Sequence, residues 1–381
     1  METAFVSHRV TAPDGALTVD GRLDRPDLLI VGGTSRHSGK TERAGRLNGR
    51  HAPSMPVVGL KVTTVDRSDG HCPHGGDGCG VCSTLEAPWI VSRELDRSSA
   101  KDSCRLLAGG AHRVYWLRVL RSELAEGAAD LVTRVPSGWV GVGESSSLVS
   151  VVEPGLFLLV RAAGSTRAKP SARAVAHLAD RVVVSDGRSF DLDLDRISVV
   201  DGPWALRREA CAVVIGGADD RPGADRDAAL RRTVTSLVAQ FDRVVVRPET
   251  ADRSDLAGAA AALPDLPDTW CLVTKPVAGG ISPGLVNAMF RRRAGIDVVV
   301  AVTRSEGRNV DLALCRRELV AEVVAALGRG VGAAAALGDR CAVRELRPEA
   351  PGSEAGIGRL PVTVQTGSAA DPACRRGAGA S

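Results

Sequence analysis

Aromatic side chains make up only 3% of the 381 residues, so the cores of this protein have to be built from Val, Leu and Ala. No apolar run reaches the roughly 20 residues that a membrane-spanning helix needs. The first residues, Met1 to Arg9, lack the basic-then-apolar layout of a secretory signal. The expectation is a cytoplasmic protein with no membrane partner. Long basic runs are missing too. The 49 basic and 45 acidic residues are interspersed and leave a formal charge of +4, so nucleic acid is not an expected partner and small anions are. No repeat at solenoid periods is present. Nine Cys is an odd number, and three of them share one short loop. That pattern suits reduced thiols and a metal rather than a disulfide framework, with the remaining Cys as core residues.

What is present is a globular composition, 44% hydrophobic and 25% charged. The length exceeds what one core supports, so two domains of about 150 to 200 residues are expected. Residues 1–26 read as an extended arm or hairpin with a turn at Pro13-Asp14-Gly15. Strand-like runs follow at Leu28–Val31, Pro56–Val62, Val114–Val119, Trp139–Val142, Leu156–Val160 and Arg181–Val184. Segments rich in Ala, Leu, Arg and Glu separate them, the alternation that makes a parallel sheet with helices on both faces. Residues 190–208 read as a linker. The alternation restarts with strands at Cys211–Ile215, Arg243–Val246, Trp270–Val273 and Val298–Val302, and helices near 226–240, 282–293 and 315–328. The tail, 348–381, is dense in Gly, Ala, Ser, Pro and Arg and reads as mostly disordered. Within it, Leu360–Val364 is a candidate edge strand.

Two glycine-rich loops, each just after an apolar run, carry the functional signal. In the first, Leu28–Val31 leads into Gly32-Gly33-Thr34-Ser35-Arg36-His37-Ser38-Gly39-Lys40-Thr41. A strand running through such a loop into a helix places backbone N–H groups and a helix N-terminus around phosphate oxygens. Gly33, Ser38, Gly39, Lys40 and Thr41 are then the nucleotide-binding residues, with Lys40 on the β and γ phosphates and Thr41 on Mg²⁺. Gly39 stands six positions after Gly33 rather than the commoner five. A carboxylate at the end of another strand is needed to hold the metal or its water. Glu144, after Trp139–Gly143, is the first candidate and Asp66 the second; Lys40 and Glu144 are the expected catalytic pair. No Asn-Lys-x-Asp motif is present to indicate guanine.

Between the strands at 56–62 and 114–119, His71, Cys72, His74, Cys79 and Cys82 fall within a glycine-rich stretch of twelve positions. Cys79 and Cys82 form a C-x-x-C pair, and Cys72 with His71 or His74 completes four ligands, which fits Zn²⁺. An iron–sulfur cluster is the alternative and would have to recruit Cys104 as its fourth thiolate.

The second loop reads Gly216-Gly217-x-Asp219-x-Arg221-x-Gly223-x-Asp225-Arg226. It resembles the Gly-Gly-x-Ser-x-Arg-Met-Gly-x-Asp-Lys signature of molybdenum cofactor guanylyltransferases and related nucleotidyltransferases. Asp255-Leu256-Ala257-Gly258, Ser282-Pro283-Gly284-Leu285 and Leu314–Leu319 resemble that family's downstream motifs, the last one a helix, so the resemblance covers about 206–347. It implies a Rossmann-like domain whose Gly216, Gly217, Arg221, Gly223 and Arg226 hold a nucleotide's phosphates. Two positions depart from the pattern. Arg226 stands where the family has Lys, and Thr274–Gly280 lacks the metal-holding Asp, a loss that impairs Mg²⁺-assisted transfer. Asp265, Asp268 and Asp311 are the candidates to replace it in space.

The first half resembles the molybdopterin-guanine dinucleotide biosynthesis adaptor, a GTP-binding P-loop protein. The resemblance rests on Ser38-Gly39-Lys40-Thr41, Val58-Gly59-Leu60-Lys61, Lys101–Arg105 and Ala108–Ala111. Family members keep histidines after the position of Lys61, where this chain has its Cys/His loop. Together the resemblances imply an α/β protein of two three-layer α/β/α domains: a P-loop NTPase domain over 27–205, then a nucleotidyltransferase-like domain over 206–347. The expected role is attaching a nucleotide to molybdopterin or a related cofactor. The expected partners are GTP or ATP, molybdopterin or a molybdoenzyme maturation partner, and a second copy in a homodimer. The rival readings are an NTPase metallochaperone using His71, Cys72, Cys79 and Cys82, and a nucleotide-sensing scaffold.

Overall fold

The computed structural model describes residues 4–5, 21–35, 38–65, 85–216, 224–248, 270–291, 293, 295–305, 308–328, 337, 343–346 and 362–365. Contacts divide the chain into two compact units, Met1–Trp204 and Ala205–Ser381. Each is mixed α/β. Among the described residues no helix is long and apolar enough to cross a membrane.

The first unit is built on an eight-stranded sheet. Its strands in chain order are β1 (Ala4–Phe5), β2 (Leu23–Gly33), β3 (Val57–Val65), β4 (Trp89–Glu94), β5 (Arg113–Leu120), β6 (Val140–Glu144), β7 (Val152–Ala162) and β8 (Arg181–Ser185). They lie in the order β1-β4-β5-β3-β6-β2-β7-β8. From β5 to β8 every pairing is parallel. The other edge is not, because β4 runs antiparallel to β5 and β1 antiparallel to β4. β4 was not among the expected strands: Pro88 and the Asp-Arg-Ser-Ser segment frame a run of only six residues, Trp89–Glu94. Leu28, Ile30, Val58, Leu60, Leu117, Phe157 and Leu159 meet in one buried cluster. Burying each Val or Leu contributes about 1.5–3 kcal/mol, which offsets the scarcity of aromatics.

Between β2 and β3 the chain forms α1 (Lys40–His51); α2 (Asp102–Ala108), α3 (Leu124–Val132) and the short α4 (Pro170–Arg173) follow. α1 and α2 approach closely at glycines. A Cβ on Gly109 would lie 2.8 Å from the Gly45 Cα, and one on Gly49 would lie 3.0 Å from the Gly109 carbonyl. Asn48 Nδ2 donates to the Leu106 carbonyl across the same contact (3.2 Å). The approach sets the start of α2 against the start of α1.

The division between the two units falls within the segment read as a linker, 190–208, and that segment carries elements of its own whose apolar and charged groups fit α1. β9 (Ile197–Val199) and β10 (Trp204–Leu206) form a two-stranded ribbon there. Trp204 is fully buried, meets His51 edge-on at 4.8 Å and donates its Nε1 hydrogen to the Asp27 carbonyl. Asp195 pairs with Arg50, and Phe190 lies beneath the guanidinium groups of Arg43 and Arg46.

The second unit has a seven-stranded sheet, β12-β11-β13-β15-β14-β16-β17. Its strands are β11 (Arg208–Gly216), β12 (Phe241–Pro248), β13 (Trp270–Thr274), β14 (Val298–Ser305), β15 (Arg308–Arg316), β16 (Val343–Leu346) and β17 (Val362–Gln365), and its helices α5 (Ala224–Val238), α6 (Pro283–Arg291) and α7 (Val320–Gly328). The parallel sheet expected here is interrupted by β15, antiparallel to both β13 and β14. Leu314, Cys315 and Arg316 are therefore strand residues, not the start of a helix. β14 and β15 pair along the full length of β14, from Val298 with Cys315 to Ser305 with Arg308. Leu312 and Leu314 enter one core cluster and Ala313 and Cys315 another. With apolar residues on both faces, the segment has no period-2 signature to separate strand from helix. The expected edge strand at 360–364 corresponds to β17, which pairs with β16; residues 348–361 and 366–381 lie outside the described residues.

Candidate nucleotide site

Although α1 follows β2 in the chain, β6 lies between β2 and β3, and this sets the site. Glu144 closes β6 in register with Val31 on β2 and with Lys61 on β3. The glycine-rich turn, the carboxylate and the lysine thus fall in one row at the carboxyl edge of the sheet, where open α/β sheets place their ligands.

The loop itself is anchored from below. The Gly33 N–H donates to Ser146 Oγ (3.0 Å), and that hydroxyl lies 3.3 Å from the Gly33 carbonyl. The Ser145 N–H donates to the Val31 carbonyl and the Thr34 N–H to the Val160 carbonyl. Gly33 has to be glycine: a Cβ there would lie 2.5 Å from Cγ and Cδ of Lys40 and 2.4 Å from Ser38 Oγ. Gly39 has φ 90°, a left-handed turn that feeds α1, and Lys40 bends back so that Nζ donates to the Ser35 carbonyl at 3.3 Å. Burial pulls the Lys40 ammonium below its ordinary range, with Glu144 and Asp102 opposing and Lys61 adding to the shift. The buried hydroxyls Thr34 Oγ1 and Ser38 Oγ have no hydrogen-bond partner among the described residues.

Behind Lys40 runs a chain of charged contacts. Thr41 Oγ1 donates to Asp102 Oδ1 (3.0 Å), and Lys61 Nζ donates to Asp102 Oδ2 (2.5 Å) and Glu144 Oε1 (2.7 Å). Glu144 is 2% exposed, and its second oxygen, Oε2, has no partner among the described residues. Burial alone would lower the Lys61 ammonium, but the two carboxylates outweigh it and hold the group above its ordinary value. Burial would likewise raise Asp102; Lys61, Thr41 and Lys40 bring it below the usual carboxylate range.

Gly33, Ser38, Gly39, Lys40, Thr41 and Glu144 thus come together around one loop. Asp102 and Lys61 lay within the motifs of the adaptor resemblance, but neither was assigned to this site from the sequence. Their signals were a lysine near a strand's carboxyl edge and an acid opening a short helix at Lys101-Asp102-Ser103, both too common to stand out alone. Asp66 and the Cys/His group (His71, Cys72, His74, Cys79, Cys82) lie outside the described residues. Cys104 is buried in α2, and burial raises its thiol. Among the described residues no cluster of three His, Cys, Asp or Glu side chains is placed to hold a metal.

In the second unit Gly216 ends β11, in line with the carboxyl end of β13, where Val214 pairs with Thr274. Gly217, Arg221 and Gly223 lie outside the described residues, as does the Arg226 side chain at the start of α5. Of the three candidates for the missing carboxylate, Asp265 and Asp268 lie outside as well. Asp311 is on β15, one residue from the Leu312 that pairs with Thr274, so its backbone reaches the same sheet edge as Gly216.

No protein-family model matches this chain, and no curated protein matches it significantly.

Proposed function

We propose that the first unit is a P-loop NTPase domain that binds GTP or ATP with Mg²⁺ and hydrolyses it, and that the chain serves nucleotide attachment to molybdopterin. On this reading residues 27–205 and 206–347 are two three-layer α/β/α domains, the second Rossmann-like, nucleotidyltransferase-like and catalytically impaired.

The observation that carries the NTPase reading is the chain Thr41–Asp102–Lys61–Glu144 directly behind Lys40. A glycine-rich turn at the head of a helix needs only backbone to hold phosphate. Two carboxylates joined to the loop's threonine are what a metal-dependent phosphoryl transfer adds. The donor set suits the ion: two carboxylates and a hydroxyl are hard oxygen ligands, and Glu144 Oε2 is buried with no hydrogen-bond partner among the described residues. The N–H groups at the start of α1 and the orphaned Ser38 and Thr34 hydroxyls bind phosphate oxygens. Lys40 leaves the Ser35 carbonyl for the β and γ phosphates, and Thr41 and Asp102 face the metal. Glu144 would orient the Mg²⁺ or the attacking water, whose oxygen bonds to the γ phosphorus as the bridging P–O bond breaks; that bond's electrons leave with the β phosphate and the water's proton passes to the released phosphate. When bound, Mg²⁺ supplies neutralisation of the charge that develops on the phosphate oxygens.

The molybdopterin role and the second nucleotide site rest on the sequence resemblances. The test is purified protein with GTP or ATP and Mg²⁺, wild type beside Lys40→Ala, scoring bound nucleotide and γ-phosphate release, with zinc and iron measured on the same sample. Turnover lost in Lys40→Ala is the expected result, whereas absence of binding by the wild type removes the reading. Stoichiometric zinc released on nucleotide binding would favour a metallochaperone.

A further inference from the structure

We infer that Lys61 is a resident counter-cation: its ammonium stands in the position a divalent ion takes and keeps that position closed to metal until a nucleotide arrives. The inference deepens the nucleotide reading and rests on it for the trigger. Its geometric basis is independent.

Lys61 Nζ touches one oxygen of Glu144 and one of Asp102, and the other oxygen of Asp102 accepts from Thr41. These are the carboxylates and the hydroxyl to which the site reading assigns the metal. Two carboxylates this close cannot both stay charged beside a buried strand end without a cation between them, because their repulsion and desolvation are otherwise uncompensated. Lys61, with a side chain 16% exposed, supplies that cation from within the fold. Glu144 Oε2 is the second, independent sign of a ligand position: it is buried, and Lys61 has engaged only its sister oxygen.

Charge accounting gives the direction of the change. In the free protein Lys40 and Lys61 balance Glu144 and Asp102. A bare divalent ion entering this set would face two ammonium groups and would have to expel Lys61 with no new anion to receive it. A nucleotide brings the missing anions. Its terminal phosphate oxygens become new partners for the Lys61 ammonium, which leaves both carboxylates to the ion, and Thr41, whose hydroxyl hydrogen is given to Asp102, offers its oxygen lone pair to the metal. Ion and nucleotide therefore bind as a coupled pair, and Lys61 is a positioning residue that enforces the coupling.

The experiment titrates Mn²⁺ into nucleotide-free protein, read by loss of the free-ion electron paramagnetic resonance signal, for wild type, Lys61→Met, Lys61→Gln and the double variant Lys61→Met/Glu144→Gln. Lys61→Gln keeps a hydrogen-bond donor for Glu144 and carries the comparison if Lys61→Met fails to fold by circular dichroism. Expected are no stoichiometric Mn²⁺ on the wild type, one Mn²⁺ on the Lys61 variants with affinity raised by roughly tenfold or more, and loss of that gain in the double variant. Stoichiometric Mn²⁺ on nucleotide-free wild type overturns the inference without any variant. Nucleotide binding by the wild type with no gain of Mn²⁺ in either Lys61 variant also overturns it and leaves the nucleotide reading standing. A Mn²⁺ gain in a protein that binds no nucleotide removes the nucleotide reading and the trigger, and keeps Lys61 as the occupant of a cation position.

Discussion

The two units bury polar groups in different ways. At the carboxyl edge of the first sheet the buried groups are charged and joined across three elements, and they include atoms with no partner among the described residues: Thr34 Oγ1, Ser38 Oγ and Glu144 Oε2. In the second unit they are mostly neutral and close on one another. Thr233 Oγ1 lies 3.1 Å from the Val277 carbonyl and accepts from the Val277 N–H (2.7 Å), Ser236 Oγ accepts from the Ile281 N–H, and Gln240 Nε2 donates to the Ile281 carbonyl. Those bonds fasten the segment after β13 onto α5. That neutral network leaves a single named acceptor open among the described residues, Gln240 Oε1, whereas the edge of the first sheet buries charge together with several unmatched atoms, the pattern of a site built for something else.

The comparison breaks most sharply at Lys40. Lys40→Ala is expected to lower nucleotide turnover by about 100-fold or more, scored by phosphate release, because it removes a positive charge aimed at the transferred phosphate. Glu144→Ala leaves Lys61 with Asp102 alone and should cost about 3 kcal/mol in urea unfolding, with turnover lost as well; a stable but inactive variant would mean that the carboxylate serves chemistry without holding the fold. Thr233→Val removes the acceptor of a buried N–H and should cost about 1–3 kcal/mol while leaving nucleotide binding by the first unit unchanged, and any loss of that binding would erase the contrast between the units.

Gly33→Ala pushes a methyl group into the Lys40 stem, so nucleotide affinity should fall by about tenfold, on the order of 1.4 kcal/mol, measured by calorimetry. The smallest effect concerns pH. Asp102 titrates below its ordinary 3.8 in the folded state, so it contributes stability that is fully present above 3.8 and is lost as pH falls through the lowered folded value. Lys61 titrates above its ordinary 10.5, so its contribution is present below 10.5 and is lost as pH rises through the raised value. Asp102→Asn should therefore flatten the acid limb of a stability–pH curve and Lys61→Met the alkaline limb. Curves unchanged in both variants would separate the two groups from the fold's stability.

The legible parts of this protein were those in which local chemistry is unambiguous. Gly39-Lys40-Thr41 after an apolar run can only be placed at the head of a helix, and the structure puts α1 there. Glu144 was legible because five residues of alternating apolar and glycine character end in an acid. β15 was not, since a strand buried on both faces looks like a helix segment until its partners are known. The ribbon at 197–206, inside the linker segment where the two units divide, was not foreseen because nothing local distinguishes a Trp that packs on α1 from one in a loop.

The glycine-rich turn at the head of a helix, the presence of an acid at a strand end and the alternation of strand and helix were determined by the sequence alone, because each follows from backbone geometry and residue type within a few positions. Tertiary structure decided which charges meet. Asp102 and Lys61 are 41 residues apart and Lys61 and Glu144 are 83 apart. They converge because β6 inserts between β2 and β3 and because glycines let α2 press against α1. Strand order and helix approach are settled by the packing of the whole sheet, and no local stretch of chain encodes them.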